Sequence, residues 1–252
     1  DGFEPLEASL DATDRQLQRE KLAFYKEYSR FYEKQQLYQQ AFRAEKGYAT
    51  LKVTANAPGG HSSMPPAETG VTTLARAVLA ITENPFPIEM RGPGAAMIEA
   101  LAAHKGGTTE LAVANQWLLG SVLKKQLSAS PSSAAAFHTT IAPTMLQGSP
   151  KENVLPQSAT ALINYRIAPW NSSADVMARA KAAVGDAPVE LSWVKPPNEP
   201  SRVSSSKSQG WKYVVAAARA DAPDAGVAPY LVVAATDSRS MEPISADVYR
   251  FM

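Results

Sequence analysis

The sequence predicts an α+β fold, because segments with strand periodicity and segments with helical periodicity follow each other along the chain. Apolar and polar residues alternate from Tyr48 to Ala57, as in a half-buried strand, and Thr69 to Ile81 carries apolar residues at helical spacing. The chain has 252 residues with 45% hydrophobic content, which is enough to bury a core in one large domain or two small ones.

Residues 1–44 are predicted to form one long amphipathic helix that begins after the plausible N-caps Thr13 and Asp14. Most of its apolar positions recur at helical spacing; they are Leu17, Phe24, Tyr28, Phe31, Tyr32, Leu37, Tyr38 and Phe42. A structural helix packed on the body is the commoner meaning of such a stripe, and a dedicated binding helix is the alternative.

A helical insertion at about residues 93–130 is predicted to follow the first strand and helix. The prolines of Asn84 to Pro87 end that helix. The stretch that follows is rich in Ala and Leu, and two helices are expected in it, Met97 to Ala102 and Leu111 to Leu127, with the Gly106-Gly107 break between them.

The order of the remaining elements defines the sheet. Strands are predicted for Phe137 to Leu146, Ala159 to Ala168 and Val189 to Val194, with a helix for Asp175 to Val184 before the last strand. The whole order is βαββαβ with an insertion. This order is typical of the ferredoxin-like arrangement, a four-stranded antiparallel sheet with helices on one face.

A second unit is predicted to start after the linker Pro196 to Ser206, which is rich in Pro, Ser and Asn. Gln209 to Ala220 is expected to be helical. Pro229 to Ala235 is a short continuous apolar run, as in a buried parallel strand.

The composition of the chain excludes few classes of function. The chain has 25 basic and 24 acidic residues, a net charge of +1, so bulk charge indicates neither a nucleic-acid nor a membrane partner. No apolar run approaches the ~20 residues that span a bilayer, and without cysteine there are no disulfides or thiolate metal sites. The compartment stays open, and a chain that starts at Asp1 is expected to be a mature chain or a fragment. The sequence contains no Gly-x-Ser-x-Gly motif, so it does not indicate a serine hydrolase of the nucleophile-elbow type.

The loop Gly59 to Pro66 (GGHSSMPP) is the best candidate for function. Its glycines allow a sharp turn after a strand and its prolines stiffen the exit, so His61 is held at one place. Taken alone, a single loop histidine more often makes a local hydrogen bond than catalyses a reaction. His104 and His138 are expected to be structural.

Four ordered segments carry a resemblance to a known family. They are Glu45 to Val53 with Ala57 to Pro66, Glu152 to Pro156, Asn164 to Ile167, and Ala235 to Arg239 with Asp247 to Met252. The first resembles the start of the lid, or dimerisation, domain of the dinuclear-zinc exopeptidases, which include glutamate carboxypeptidase, aminoacylase and succinyl-diaminopimelate desuccinylase. The Gly-Xaa carboxypeptidase branch is the most similar in character.

The resemblance implies a division of the chain. Residues 45–200 would form the lid, and 201–252 part of the α/β zinc-peptidase domain. Edge strands of the lid would pair two chains into a homodimer. The implied reaction is hydrolysis of the amide bond of a carboxylate-bearing peptide or N-acyl amino acid, by water held between two zinc ions.

The resemblance also implies roles for four residues. His61 would donate a hydrogen bond to the oxyanion of the transition state, often in the partner subunit, and Asn153 would orient the substrate amide. Arg166 would bind the substrate carboxylate, and Arg239 would close on the same carboxylate. Without these flanking motifs, a surface ion pair is the commoner role of an arginine.

The zinc ligands of the family are not recognisable in this sequence. The family draws them from a His-x-Asp segment, a Glu-Glu pair and a carboxylate before the lid, and from a histidine after the Asp-x-Arg region. Residues His61, His104 and His138 do not replace them, so this chain is expected to bind no catalytic zinc pair. The alternative function is therefore a non-catalytic dimerisation or interaction module.

Overall fold

The computed structural model describes residues 38–251 apart from residues 106, 222–225 and 235. The strands are β1 (Tyr38–Glu45), β2 (Gly47–Asn56), β3 (Gly60–His61), β4 (Thr140–Gln147), β5 (Val154–Leu155), β6 (Ser158–Ile167), β7 (Val189–Trp193), β8 (Gly226–Val232) and β9 (Arg250–Phe251). The helices are α1 (Gly70–Thr82), α2 (Gly92–Lys105), α3 (Gly107–Ala114), α4 (Gln116–Ser128), α5 (Pro131–Ala134), α6 (Ser173–Val184) and α7 (Gln209–Asp221), and Asp237–Met241 is a short 3₁₀ helix.

The largest sheet has the strand order β4-β6-β2-β7, with every neighbouring pair antiparallel. Buried residues alternate along β2 and β6, so one face carries the apolar side chains. Helices α1 and α6 cover that face, and their buried residues join one core cluster with Leu51, Val53 and Ile163. The predicted combination of helices and sheet is confirmed, and the opposite face of this sheet stays open.

Local capping explains where the two covering helices begin. The Thr69 side chain accepts a hydrogen bond from the backbone N–H of Thr72, and Ser172 does the same for Asp175. In each pair the second side chain also accepts from the backbone N–H of the cap residue, which completes a reciprocal capping box.

Residues 38–45 correct the predicted N-terminal helix, which was expected to run through Phe42. They form strand β1, which pairs in parallel with β8 and antiparallel with β9. Tyr38 and Phe42 are four residues apart, a spacing that fits one face of a strand as well as one face of a helix, so the aromatic pattern did not distinguish them. Pairing with distant strands decides the outcome. Residues 1–37 of the predicted helix lie outside the described part.

The insertion contains α2, α3, α4 and the short α5, more helical turns than the two predicted helices. Helix α2 packs against β8, so the insertion contacts the second sheet. The strand predicted from Phe137 begins only at Thr140. Phe137 is fully buried in the turn after α5, where its N–H donates to the carbonyl of Ala134 at 2.9 Å.

Two chain segments, residues 45–48 and residues 198–201, connect the two sheets and run side by side. We call them the crossover. Tyr48 and Asn198 exchange backbone hydrogen bonds of 2.8 and 2.9 Å there. A Cβ at Gly47 would lie 2.7 Å from the carbonyl oxygen of Asn198, so only glycine permits this approach.

No helix in the described part of the chain is both long and apolar enough to cross a bilayer.

Candidate functional site

His61 and Asn153 lie together because two very short strands pair. Strand β3 runs antiparallel to β5 with His61 opposite Val154, and the N–H of Ser62 donates to the carbonyl of Asn153 at 3.2 Å. Both predicted site residues are exposed to solvent. The structure therefore brings these two residues to one loop edge beyond the end of β2.

The hydrogen bonds of the His61 ring leave one nitrogen available. The backbone N–H of Ser63 donates to Nδ1 at 3.2 Å, and the Ser63 hydroxyl lies 2.8 Å from the same nitrogen. A ring whose Nδ1 accepts from a backbone N–H keeps its hydrogen on Nε2 when neutral. Nε2 has no partner among the described residues, so His61 presents an exposed hydrogen-bond donor.

Arg166 lies at the opposite end of the same sheet. In the β2–β6 ladder, Asn56 pairs with Ser158 at the His61 end, and Tyr48 pairs with Arg166 at the other end. Eight residues of β6 separate these ends, about 26 Å at ~3.3 Å per residue. Within one chain the structure does not bring Arg166 to His61.

The Arg166 guanidinium stacks on an aromatic ring and binds nothing else in the described residues. Its Cζ atom lies 4.7 Å from the centroid of the Tyr48 ring, and no acidic side chain or carbonyl in the described part pairs with it. It faces a groove of about 860 Å³ on the open face of the sheet. The lining includes Thr50, Thr144, Met145, Leu162, Asn164 and Lys195, and contains no acidic residue.

Lys46 is a second basic residue near Arg166. It is 1% exposed, and its ammonium donates to the carbonyl of His138 at 2.6 Å. Burial, and to a smaller extent the nearby charge of Arg166, lower the pKa of Lys46 to about 7. No carboxylate in the described part lies within ion-pair distance of Lys46. Arg166 and, when protonated, Lys46 therefore place positive charge at this end of the sheet without an acidic partner among the described residues.

His138 has a structural environment. It lies half-buried just before β4, with Nδ1 3.2 Å from the carbonyl oxygen of Phe86, and burial lowers its pKa below the ordinary value. His104 belongs to the residues whose side chains are outside the description.

Arg239 lies at the crossover, at the same end of the sheet as Arg166. Its guanidinium donates to the carbonyl oxygens of Lys46 and Glu199, one from each crossover segment. Its Nε atom lies 3.5 Å from a carboxylate oxygen of Glu45. These contacts occupy most of the fork that would bind a substrate carboxylate, so the substrate role of Arg239 stays a prediction.

Glu45 and Arg250 form a buried ion pair that the sequence reasoning missed. The fully buried Glu45 carboxylate accepts from Arg250 Nη2 at 2.8 Å and from the backbone N–H of Thr236 at 2.6 Å. Ser238 Oγ lies 3.2 Å from the same carboxylate. Glu45 and Arg250 are 205 residues apart, and the one available signal was that both belong to segments that carry the family resemblance.

The described residues do not form a metal site. No three of their His, Cys, Asp or Glu side chains come together as a group that could hold a metal ion.

Comparison with known proteins identifies a family model and several relatives. The model of the peptidase dimerisation domain matches residues 43–191. The chain is 34% identical over 211 residues to the N-fatty-acyl-amino acid synthase/hydrolase PM20D1.1 of Danio rerio, covering 82% of this chain and 41% of that protein. It is 30% identical over 207 residues to the probable carboxypeptidase S-like 2 of Dictyostelium discoideum, covering 82% and 40%.

Solved structures share the fold. The M20 family metallo-carboxypeptidase Sso-CP2 of Sulfolobus solfataricus superposes with a TM-score of 0.52 at 14% identity, covering 81% of this chain and 56% of that chain. AtUAH in complex with glyoxylate gives a TM-score of 0.52 at 16% identity, covering 87% and 42%. The chain spans about two fifths of the length of the curated relatives named above.

Proposed function

Because the chain belongs to the M20 metallopeptidase family, whose peptidase dimerisation domain spans residues 43–191, we propose that it supplies the substrate-binding lid of a hydrolase. The substrate is a carboxylate-bearing peptide or N-acyl amino acid, cleaved at its amide bond. Residues 45–200 are the ferredoxin-like lid, with the insertion at about residues 93–130. Residues 201–252 are part of the α/β peptidase domain.

The unpaired Arg166 guanidinium carries this proposal. It lies half-buried in a groove whose lining has no acidic residue, and Lys46 adds positive charge near it when protonated. A planar guanidinium fork matches the two oxygens of a carboxylate, and such charge-assisted pairs are stronger than neutral hydrogen bonds. A ligand carboxylate would supply the counter-ion that the described residues lack.

The separation of His61 from Arg166 supports a two-chain site. A substrate whose carboxylate is held at Arg166 lies at the end of the sheet opposite to His61 of the same chain, and these two ends are about 26 Å apart along β6. His61 and Asn153 would therefore serve the site of a partner subunit. The exposed Nε2–H of His61 would donate to the oxyanion that forms at the scissile carbonyl, a contact worth roughly 3 kcal/mol in the transition state.

A homodimer through the lid is supported by strand β4. It lies at the edge of the sheet, and most of its length is exposed, with Met145 60% and Leu146 68% exposed. An open edge strand with exposed apolar side chains is a ready partner for the same strand of a second chain. A non-catalytic dimerisation module is the second candidate function, and this edge strand supports it equally.

We include metal ions in the proposal only because the family uses them. M20 metallopeptidases use metal ions, and we propose two zinc ions, which activate water when bound. Since the described residues do not form a site for them, the ligands would come from other residues. The roles derived for this chain are to bind the carboxylate and to stabilise the oxyanion.

The test is a comparison of N-lauroyl-phenylalanine with its carboxamide in calorimetric titrations. We expect the acid to bind at least tenfold more tightly than the amide, and Arg166→Met to abolish that preference. Arg76→Met is the matched control, because Arg76 is an exposed arginine already paired with Glu68. Equal binding of acid and amide by the unaltered chain would refute the lid function. If light scattering then still gave a dimer, the dimerisation module would be the better description.

A further inference from the structure

We propose that Tyr48 is a positioning residue, which holds the Arg166 guanidinium ready for the carboxylate of the ligand. This inference rests on the proposed function and adds a residue that the sequence motifs did not indicate. Tyr48 does not touch the reacting atoms. It acts through Arg166, by fixing the plane in which the guanidinium N–H groups point.

The two residues face each other across the sheet. Tyr48 of β2 pairs directly with Arg166 of β6 in the antiparallel register, and both lie on the open face. The 4.7 Å between Cζ and the ring centroid is well inside the ~6 Å limit of a cation–π contact. The ring therefore contacts the guanidinium directly.

This kind of support leaves the hydrogen-bond donors free. All five N–H groups of a guanidinium lie in its plane, whereas an aromatic ring contacts the face of that plane. An acidic partner would instead occupy the fork. A stacked arginine with no acidic partner is thus immobilised and still able to bind a carboxylate with two parallel hydrogen bonds.

Other stacked arginines in the described residues show the contrast. Arg43 donates to a backbone carbonyl, Arg91 pairs with a carboxylate, and Arg179 donates to three oxygen atoms near its aromatic partner. Arg166 alone among the four cation–π arginines described here has its whole fork without an acceptor. At the other three arginines the aromatic contact accompanies a hydrogen bond or ion pair, and at Arg166 it does not.

The surroundings fix the ring and explain why Arg166 needs it. The backbone of Tyr48 is held at the crossover by both hydrogen bonds to Asn198, and the Thr50 hydroxyl donates to the Tyr48 hydroxyl at 3.3 Å. The Arg166 guanidinium has no hydrogen-bond acceptor among the described residues, so without the ring its long side chain would lose its fixed orientation.

The experiment compares variants that keep or remove the aromatic face, using N-lauroyl-phenylalanine and its carboxamide as probes. Tyr48→Leu is expected to weaken binding of the acid about fivefold to tenfold and to leave binding of the amide unchanged. Tyr48→Phe and Tyr48→Trp keep a ring and are expected to bind the acid within about twofold of the unaltered chain. Rescue by both rings distinguishes positioning from a general loss of structure.

A second readout needs no ligand. The side-chain Nε–H and Cδ–H resonances of Arg166 should show a ring-current shift that Tyr48→Leu removes and Tyr48→Phe keeps. The proposal is overturned if Tyr48→Leu binds the acid as tightly as the unaltered chain, or if Tyr48→Phe loses as much affinity as Tyr48→Leu. If the unaltered chain itself shows no preference for the acid, the proposed function fails first. If the unaltered chain prefers the acid and Tyr48→Leu keeps that preference, only the role of Tyr48 is overturned.

Discussion

Replacing Lys46 by methionine should stabilise the protein, and the gain should depend on pH. Lys46 is almost completely buried with one hydrogen bond and no carboxylate partner. Its pKa falls from 10.5 to about 7 on folding. At 1.36 kcal/mol per pKa unit, this shift corresponds to about 5 kcal/mol of unfavourable free energy when the ammonium is charged in both states. Loss of the hydrogen bond to His138 offsets about 1 kcal/mol of the gain.

The sign follows from proton uptake. Between about pH 7 and pH 10.5 the unfolded chain holds the Lys46 proton and the folded chain does not, so the free energy of unfolding rises with pH across this window. The penalty is complete below about pH 7 and disappears above the unfolded pKa. Lys46→Met should therefore raise the free energy of unfolding by a few kcal/mol at about pH 6 and by progressively less toward about pH 9.5.

Urea denaturation of both chains across this pH range measures the difference, in which the other titrating groups cancel. Lys52→Met is the matched control, because Lys52 lies on the adjoining strand β2 with an exposed side chain and should give no pH-dependent difference. A gain that does not change between about pH 6 and pH 9.5 would refute the burial argument. So would a loss of stability at about pH 6, which would mean that the charged ammonium has a partner.

Three further predictions concern the crossover, the buried ion pair and the sheet edge. Gly47→Ala should lower the free energy of unfolding by about 1–3 kcal/mol, because its Cβ would press on backbone atoms. Gly120→Ala is the control: it lies in open space within α4 and should raise the free energy of unfolding by about 0.5–1 kcal/mol. Thermal denaturation of both variants measures the difference. Arg250→Met should cost about 3 kcal/mol in urea titrations by leaving the Glu45 carboxylate buried without its closest cation. Leu146→Lys should shift the light-scattering mass toward the monomer; an unchanged dimer would exclude the β4 edge as its interface.

The elements that could be predicted are those whose pattern is local. Strand β2 and helix α1 appear within one residue of their predicted ends, because alternation and helical spacing are written in consecutive residues. The parallel pairing of β8 was also expected from its continuous apolar run, and it pairs in parallel with β1. Strand β1 was missed because the spacing of Tyr38 and Phe42 fits both structures, and its partner strands are far away in sequence.

The geometry of the candidate site could not be predicted from the sequence, and the roles of its residues stay predictions. The motifs indicated His61, Asn153, Arg166 and Arg239, but their spacing in sequence contains no distances. Pairing of β3 with β5 places the first two together, and the length of β6 separates them from Arg166. The contacts of Arg239 with two backbone carbonyls depend on the crossover, which no local pattern describes.

The junction between β1 and β2 limits how this protein can vary in length during evolution. One residue, Lys46, separates a strand of one sheet from a strand of the other. Adding or deleting a residue there would turn every side chain of β2 to the opposite face, exposing Leu51 and Val53. In its described residues, the helical insertion contains no strand whose pairing register depends on its length. Length differences between orthologues should therefore accumulate between α2 and α5, and the junction should keep its length.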